Sequence, residues 1–452
     1  MTVSFIHVAD LHLGSPLHAL EGASEEMATK LARATEDAFS RTVTEAIERD
    51  VDFLVAAGDL YDQEARSVRA NQFLVEQFQR LEKAQIPGFI VHGNHDPLGR
   101  GAEKLDLPDN VYVFGTDGAE TTFYPDADDP EAEIIGRSYG SRHEGTNFVD
   151  QYTPEETGIP SIGLLHTDLN PDGREYVPCS VEDLAENDID YWALGHVHHL
   201  QVLNGAPGAY PGIPQPRHAG EPPIGGCLVV ELDADEHPDV EFVPTSTVVW
   251  QSIEIDVSQF DSEGSREGIA NLTDLERLLI DEGVELQDRD VDEFPAHDAP
   301  ITDTDWEPEG IVCRWILTGR GEVHEVLADA EEGPTLLAER VREQLGNDSP
   351  FVWTESVRDR TKPPLPGREQ LIEENEVIAK FLELVEELRE DPEAREELRG
   401  EAGNAWVKVD DPDRVSTPLD RVPLTSERFD ELIDEATEIA VTRIAASRYD
   451  VD

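Results

Sequence analysis

Five apolar runs in the first half of the chain stop abruptly at polar residues. VSFIHVADLHLG ends at Asp10 and His12, VDFLVAAGDLYD at Asp59 and Asp62, and PGFIVHGNHD at Asn94, His95 and Asp96. SIGLLHTDLN reaches His166, and IDYWALGHVHH ends at His196 and His198. Short apolar runs closed by turn residues predict buried strands. Between the early runs, Glu25–Asp50 and Ser67–Gln85 repeat apolar residues at three- and four-residue spacing, with Phe73, Leu74, Phe78 and Leu81 on one stripe, which predicts helices. Strands alternating with helices predict an α/β fold with a largely parallel, buried sheet. Ligands of such sheets gather at the carboxyl ends of the strands. Every polar cluster falls at such an end, so one fold requirement would bring them together.

The pattern changes after Val230. VVWQSIEIDV and GIVCRWILTGR predict strands, and NLTDLERLLIDEG and PTLLAERVREQL predict helices, a second and smaller α/β unit. Asp288–Trp306 reads as an acidic, proline-bearing linker. Trp353–Arg368 is the most basic stretch, read as a tether or as a phosphate or partner contact. Beyond it Leu371, Val377, Ile378, Phe381, Leu382, Val385 and Leu388 stripe one amphipathic helix, and a last helix follows over Ser426–Ser447. The expected division is residues 1–245, 246–345 and 346–452. No GxxxxGK[ST] loop occurs, so the chain carries no Walker-type ATPase of its own.

Composition modifies this reading in one respect. The chain has 99 acidic and 35 basic residues, a formal charge of −64, and lysine supplies only six of the 35. The acids are spread over the whole length. Such self-repulsion loosens a compact state in ordinary salt, whereas at molar salt the Debye length falls to about 3 Å. The composition resembles that of halophile proteins, so the acidity does not argue against a nucleic-acid partner. No run approaches the length of a membrane span, and no leader pattern opens the chain, so a cytoplasmic location is expected. Cys179, Cys227 and Cys313 are too scattered for a disulfide framework or a thiolate zinc site, and are expected to be buried thiols.

The five clusters supply what a pair of divalent cations about 3.5–4 Å apart requires: a bridging carboxylate with oxygen and imidazole donors on either side. Asp59 is placed to bridge, with Asp10, His12 and His198 on one ion and Asn94, His166 and His196 on the other. A mixed Asp/Asn/His shell without thiolate suits Mn, Fe, Zn or Ni. His7 and His92 alternate within their strands and read as core residues or supports of the site. His18, His143, His199, His237, His297 and His324 read as surface. Asp96 and Asp168, each just after a ligand position, read as carboxylates that orient the histidines or the backbone.

With D-x-H, GDLYD, GNHD, a single His and GHVHH in this order, the first half resembles the calcineurin-like metallophosphoesterase superfamily, and within it the DNA-repair exonuclease branch of SbcD-type and YhaO-like nuclease subunits. The motifs cover about Met1–Leu232. The resemblance implies a sandwich of central β-sheets flanked by helices, a smaller α/β capping domain and a helical C-terminal tail. It carries the dinuclear ligands onto Asp10, His12, Asp59, Asn94, His166, His196 and His198, and the catalytic histidine onto His95. Tyr210–Cys227 (YPGIPQPRHAGEPPIGGC) resembles a loop of the YhaO-like proteins, which makes Arg217 and His218 candidate phosphate contacts; a plain Pro/Gly-rich connector is the alternative. One departure is Asp62 in GDLYD, where double-strand-break nucleases carry a second histidine. The implied activity is a DNA double-strand-break repair exonuclease or endonuclease using two divalent cations. Mn2+ is expected, with Mg, Fe, Zn and Ni as alternatives. A small-molecule or cyclic-nucleotide phosphodiesterase or phosphatase is the competing reading, and a scaffold without catalysis a third that retention of all these residues disfavours. The implied partners are DNA, an SMC-like coiled-coil ATPase docked on about Arg368–Asp452, and a second copy of the chain; a helix folded back on the capping unit competes for the same apolar stripe.

Overall fold

A computed structural model describes residues 2–449 apart from 16, 18–22, 63–66, 100–104, 156–157, 174, 235–236, 261–268, 270, 290–305, 330–332, 347–348, 365–367, 393, 396–397 and 399–425. The described residues fall into two compact units: 1–255 with 271–317 and 330–359, and 256–270 with 318–329 and 360–452.

The first unit holds two six-stranded sheets. One runs β12–β11–β1–β2–β3–β4. In it β1 (Thr2–Val8), β2 (Phe53–Ala57), β3 (Gly88–Val91) and β4 (Val111–Val113) are parallel, β11 (Gly226–Asp233) runs antiparallel to β1, and β12 (Asp239–Pro244) runs antiparallel to β11. The other runs β5–β6–β7–β8–β10–β9. Here β6 (Ala132–Gly136), β7 (Ser161–His166), β8 (Tyr191–Gly195) and β10 (Gly208–Pro211) are parallel, while β5 (Glu120–Tyr124) and β9 (Leu200–Val202) run against them. The expected mixed α/β class with helix-flanked sheets is present. The largely parallel strands form two sheets, with three motif strands in one and two in the other. An apolar run states that a strand is buried on both faces, not which neighbour it takes.

Alternation of side chains sorts the core. Ile6 and Val8 of β1, Leu54 and Ala56 of β2 and Ile90 of β3 pack on Phe39, Val43 and Ala46 of α1 (Glu25–Glu48) and on Leu74, Phe78 and Leu81 of α2 (Val68–Lys83). Each of these helices starts at a serine, Ser24 or Ser67, whose hydroxyl accepts from the third amide beyond it. On β8, Trp192 and Leu194 face outward over Leu184 of α3 (Val181–Ala185). The alternate residues fill the space between the sheets: Phe5 stacks on Phe53 and meets the edge of Tyr191. His7 is buried there, within 3.0 Å of Tyr191 Oη and 3.1 Å of the Leu194 carbonyl, as a core histidine should be. At Gly195 the sheets are so close that a Cβ would overlap the Ala57 carbonyl oxygen. Only glycine permits this approach, and it joins the carboxyl ends of β2 and β8.

The same unit carries a three-stranded sheet of β13 (Val248–Asp256), β14 (Gly310–Thr318) and β15 (Phe351–Asp359), with α4 (Leu272–Gln287) and α6 (Gly333–Leu345), labelled in chain order with α5 (Val323–Asp329) between them. The stretch expected as a tether therefore begins as strand: β15 pairs in parallel with β14, and Phe351 and Trp353 sit in an apolar cluster with Trp250 and Val312. The expected linker falls on 290–305, outside the described residues. All three cysteines are buried and free.

In the second unit the one helix expected after 368 is two, α7 (Arg368–Glu374) and α8 (Glu376–Glu390), because the Asn375 side chain accepts from the amides of Val377 and Ile378 and starts a new helix. Leu371, Ile378 and Leu382 pack on Val441, Ile444 and Ala445 of α9 (Ser426–Tyr449), while Val377 and Leu384 stay exposed. No helix among the described residues is long and apolar enough to cross a membrane.

Candidate metal centre

The site lies where the carboxyl ends of both large sheets meet. After β1 and β2 the chain runs on as two parallel loops: Asp10 N donates to Gly58 O at 3.0 Å, His12 N to Asp59 O at 3.0 Å and Leu13 N to Leu60 O at 2.9 Å. These bonds hold Asp10, His12 and Asp59 at φ of 54°, 43° and 52°, and His196 sits at 102°. Left-handed backbone costs a non-glycine residue of order 1–3 kcal/mol, so four predicted ligands are strained residues overdetermined by their surroundings. Gly93 and Gly58 let the next loops approach: a Cβ on either would run into the His166 ring.

Three donor groups result among the described residues, one of them His12 with Asp62 and His95, and the other two hold the predicted ligands. Asp10, His12 and His198 bring ligand atoms within 4.8 Å of one another, as do Asp59, His166 and His196. Asn94 joins the second group, its Oδ1 2.9 Å from His166 Nε2 and 3.1 Å from His196 Nδ1. Asp59 Oδ2 lies 3.4 Å from His166 Nε2, and its Oδ1 accepts the His95 amide at 2.8 Å. The His196 amide donates to Asp10 Oδ2 at 2.9 Å. The seven predicted ligands are thus brought together. Asp10, His12, Asp59, Asn94 and His166 are buried, while His196 and His198 are half-buried.

The donor set fits cations rather than a hydrogen-bonded core. His12 Nδ1 is held by Asp62 at 2.9 Å and His198 Nδ1 by Glu221 at 2.9 Å. Their remaining Nε2 atoms, lone pairs outward in the neutral rings, are 3.3 Å apart. His166 Nδ1 donates to Ala57 O, which turns its Nε2 lone pair on the oxygens of Asn94 and Asp59. Acceptors facing acceptors repel unless positive charge lies between them. Protonation reflects the same demand. Burial pushes His166 down, but Asp59 more than reverses this and takes it up to about 9. Burial likewise opposes ionisation of Asp59, yet His166, His12 and His95 hold it below the carboxylate range. Burial raises Asp10 despite its histidine neighbours. Burial and the adjacent His166 push His196 down to about 3.

His95 stands beside these groups, with 37% of its side chain exposed and Nδ1 2.6 Å from Asp62 Oδ1. That hydrogen bond raises its pKa against the effect of burial. Asp62, read from the sequence as a departure, serves both His12 and His95. Burial raises its carboxyl, but those two hydrogen bonds outweigh it and hold Asp62 far below the usual range. Asp96 orients backbone and a support, accepting from Leu60 N, Gly93 N and His92 Nδ1. Asp168 takes the backbone alternative, accepting the Asn170 amide at 3.1 Å and closing its own turn, with no described hydrogen bond to a site histidine. Arg217 bonds the carboxylates of Asp62 and Glu221, and His218 is half-exposed next to it, its Nε2 3.7 Å from Glu221. Sequence reading missed Glu221, Ser15, whose hydroxyl donates to Asp62, and Tyr176, whose ring lies 4.4 Å from that of His196. Glu221 had a signal: it is the only acid of Tyr210–Cys227 in a strongly acidic chain. Of the histidines read as surface, His143, His199 and His237 are exposed, His324 is half-buried near Thr361, and His18 and His297 lie outside the described residues.

Residues 3–200 match the family model of the calcineurin-like phosphoesterases. The uncharacterized metallophosphoesterase YhaO of Bacillus subtilis (strain 168) is 29% identical over 365 residues, covering 80% of this chain and 82% of that protein. The DNA double-strand break repair protein Mre11 of Methanopyrus kandleri is 27% identical over 289 residues, and that of Archaeoglobus fulgidus 25% over 233. The chain spans 59% and 49% of the lengths of these two Mre11 proteins.

Proposed function

We propose that the chain, whose residues 3–200 match the family model of the calcineurin-like phosphoesterases, is a two-metal phosphodiesterase acting on DNA, a nuclease subunit of double-strand-break repair. The observation that carries the hydrolytic reading is the pair of acceptor groups converging beside His95. The DNA reading draws on similarity to proteins named for double-strand break repair and on the 252 residues beyond the matched segment.

Asp10, His12 and His198 would hold one cation, Asn94, His166 and His196 the other, and Asp59 both. Two divalent cations so held, Mn2+ in this reading, would activate the attacking water and neutralise charge on the phosphate. The chain's own part is proton handling and order. Asp62 takes Nδ1 of His95 and leaves Nε2 for the substrate. An imidazole kept protonated by that bond donates from Nε2 to the departing oxygen. Asp62 and Glu221 hold His12 and His198 in the tautomer that leaves Nε2 a ligand.

The reading extends to residues 246–345 as a capping unit that presents DNA, to residues 346–452 as the docking region for an SMC-like ATPase and for a second copy, and to a salt-rich cytoplasm. The decisive experiment offers single-stranded DNA, double-stranded DNA and a small phosphodiester to the purified protein in molar KCl with Mn2+. Cleavage of DNA is expected. Rapid turnover of the small ester with no DNA cleavage would replace the nuclease by a small-molecule phosphodiesterase. Asp59→Ala should lose both ions and His12→Ala mainly weaken one; two ions retained per chain in Asp59→Ala would remove Asp59 as the bridge.

A further inference from the structure

Arg217 stands between the two carboxylates that hold the histidines of one donor group. Its Nη1 donates to Asp62 Oδ2 at 3.2 Å, its Nη2 to Glu221 Oε1 at 3.2 Å, and its main-chain N to Glu221 Oε2 at 2.5 Å. Asp62 Oδ1 takes His12 Nδ1 and Glu221 Oε1 takes His198 Nδ1, each at 2.9 Å. The two Nε2 atoms that face each other at 3.3 Å are therefore each fixed from behind by a carboxylate, and both carboxylates by one guanidinium. Only 14% of the Arg217 side chain is exposed, so these two acids rather than water balance its charge.

The backbone under Arg217 is anchored as well. Trp250 Nε1 donates to Pro216 O at 2.8 Å, and Gln215 Nε2 to Val248 O at 2.8 Å. Gln215 Oε1 accepts the amides of Thr247 at 2.9 Å and Val248 at 3.1 Å. Trp250 is in turn packed with Leu31, Val312 and Trp353. The loop from Ile213 to Gly225 thus carries Arg217 and Glu221 at a position fixed by β13.

We infer that Arg217 is a positioning residue and not the phosphate contact its loop suggests from sequence. It sets His12 and His198 by way of Asp62 and Glu221, and so governs how tightly that group grips a divalent cation; through Asp62 it also sets His95. A lysine does not replace it, because one ammonium lacks the planar fork that meets two carboxylates at once. The inference rests on the metal-dependent reading above and goes beyond it.

The test titrates full-length wild type, Arg217→Ala and Arg217→Lys with Mn2+ by calorimetry in molar KCl, and measures hydrolysis of bis(p-nitrophenyl) phosphate. Removing a partner that orients a metal ligand costs about 10–100-fold in metal affinity or activity. Arg217→Ala should lose that much Mn2+ affinity at one of two positions and a similar factor in kcat, with KM changed less than about threefold, and Arg217→Lys should fall between. A raised KM with kcat and Mn2+ affinity unchanged would make Arg217 a substrate contact and overturn the inference, as would no change at all. Should Arg217→Ala not fold, Arg217→Lys decides, and Mn2+ affinity equal to wild type overturns it. Two Mn2+ bound by a wild type that hydrolyses no phosphodiester would sink the proposed function and leave the positioning role standing; no Mn2+ bound would sink both.

Discussion

His95 meets the donor groups through its amide, on Asp59 Oδ1, through Nδ1, on Asp62, and through its ring, whose centroid lies 5.0 Å from that of His12, and it is not itself one of the proposed ligands. His95→Gln should reduce phosphodiester turnover about 10²–10⁴-fold, the contribution of a positioned acid or base, with two metal ions still bound. Steady-state kinetics with metal analysis checks this, and near wild-type turnover would move the role to another group such as His218. His7 gives a prediction about stability. Burial between the sheets pushes its pKa from 6.5 down to about 3, against a smaller opposite effect of the Leu194 carbonyl. Between those values the unfolded chain binds a proton that the folded chain refuses, so the contribution is complete above 6.5 and drains away as pH falls toward 3. Going from pH 7 to pH 5 should therefore cost about 2 kcal/mol at this residue. His7→Gln keeps a hydrogen-bonding side chain without the titration. Guanidinium unfolding of both proteins at the two pH values should show a shallower loss in the variant, and equal losses would clear His7 of the effect.

Among the elements, the ends of β2, β7 and β8 decide the site. The sheets meet there only because residue 195 has no side chain, and the His166 ring fills the adjoining space. Gly195→Ala forces Cβ against a backbone carbonyl that cannot rotate away. The expected loss is about 1–3 kcal/mol, as for other overpacked interiors, together with weaker Mn2+ binding, since His166 and His196 ride on the same strand ends. Chemical unfolding and calorimetry would show both; an alanine accepted with unchanged metal affinity would mean that the sheets can separate there at no cost to the site. Strand and helix positions were legible because burial writes its period into the local sequence: α1 and α2 begin and end within two residues of the apolar stripes that mark them. The apolar stripe runs through Asn375 without interruption and so predicts one helix, although asparagine is a typical helix-starting residue and here starts α8. The strained backbone at Asp10, His12, Asp59 and His196 had no sequence signal, for none is glycine.

At the scale of the whole molecule the charge of −64 dominates behaviour in solution. Raising KCl from 0.1 M to 1 M shortens the Debye length from about 10 Å to about 3 Å, so the thermal midpoint should climb steeply over that range. A midpoint that is flat or falling with salt would show that the acids are locally compensated. The sequence by itself determined the donor chemistry, the strands that end in it, the helices and the buried cysteines, because each is written within a few residues of chain. Tertiary structure alone decided which sheet each motif strand joins, and that Asp62, Arg217 and Glu221 join into one brace behind His12 and His198. Arg217 and Asp62 are 155 residues apart. Their pairing depends on the register of strands and the seating of a loop on Trp250, and local patterns of polarity carry no record of such distances.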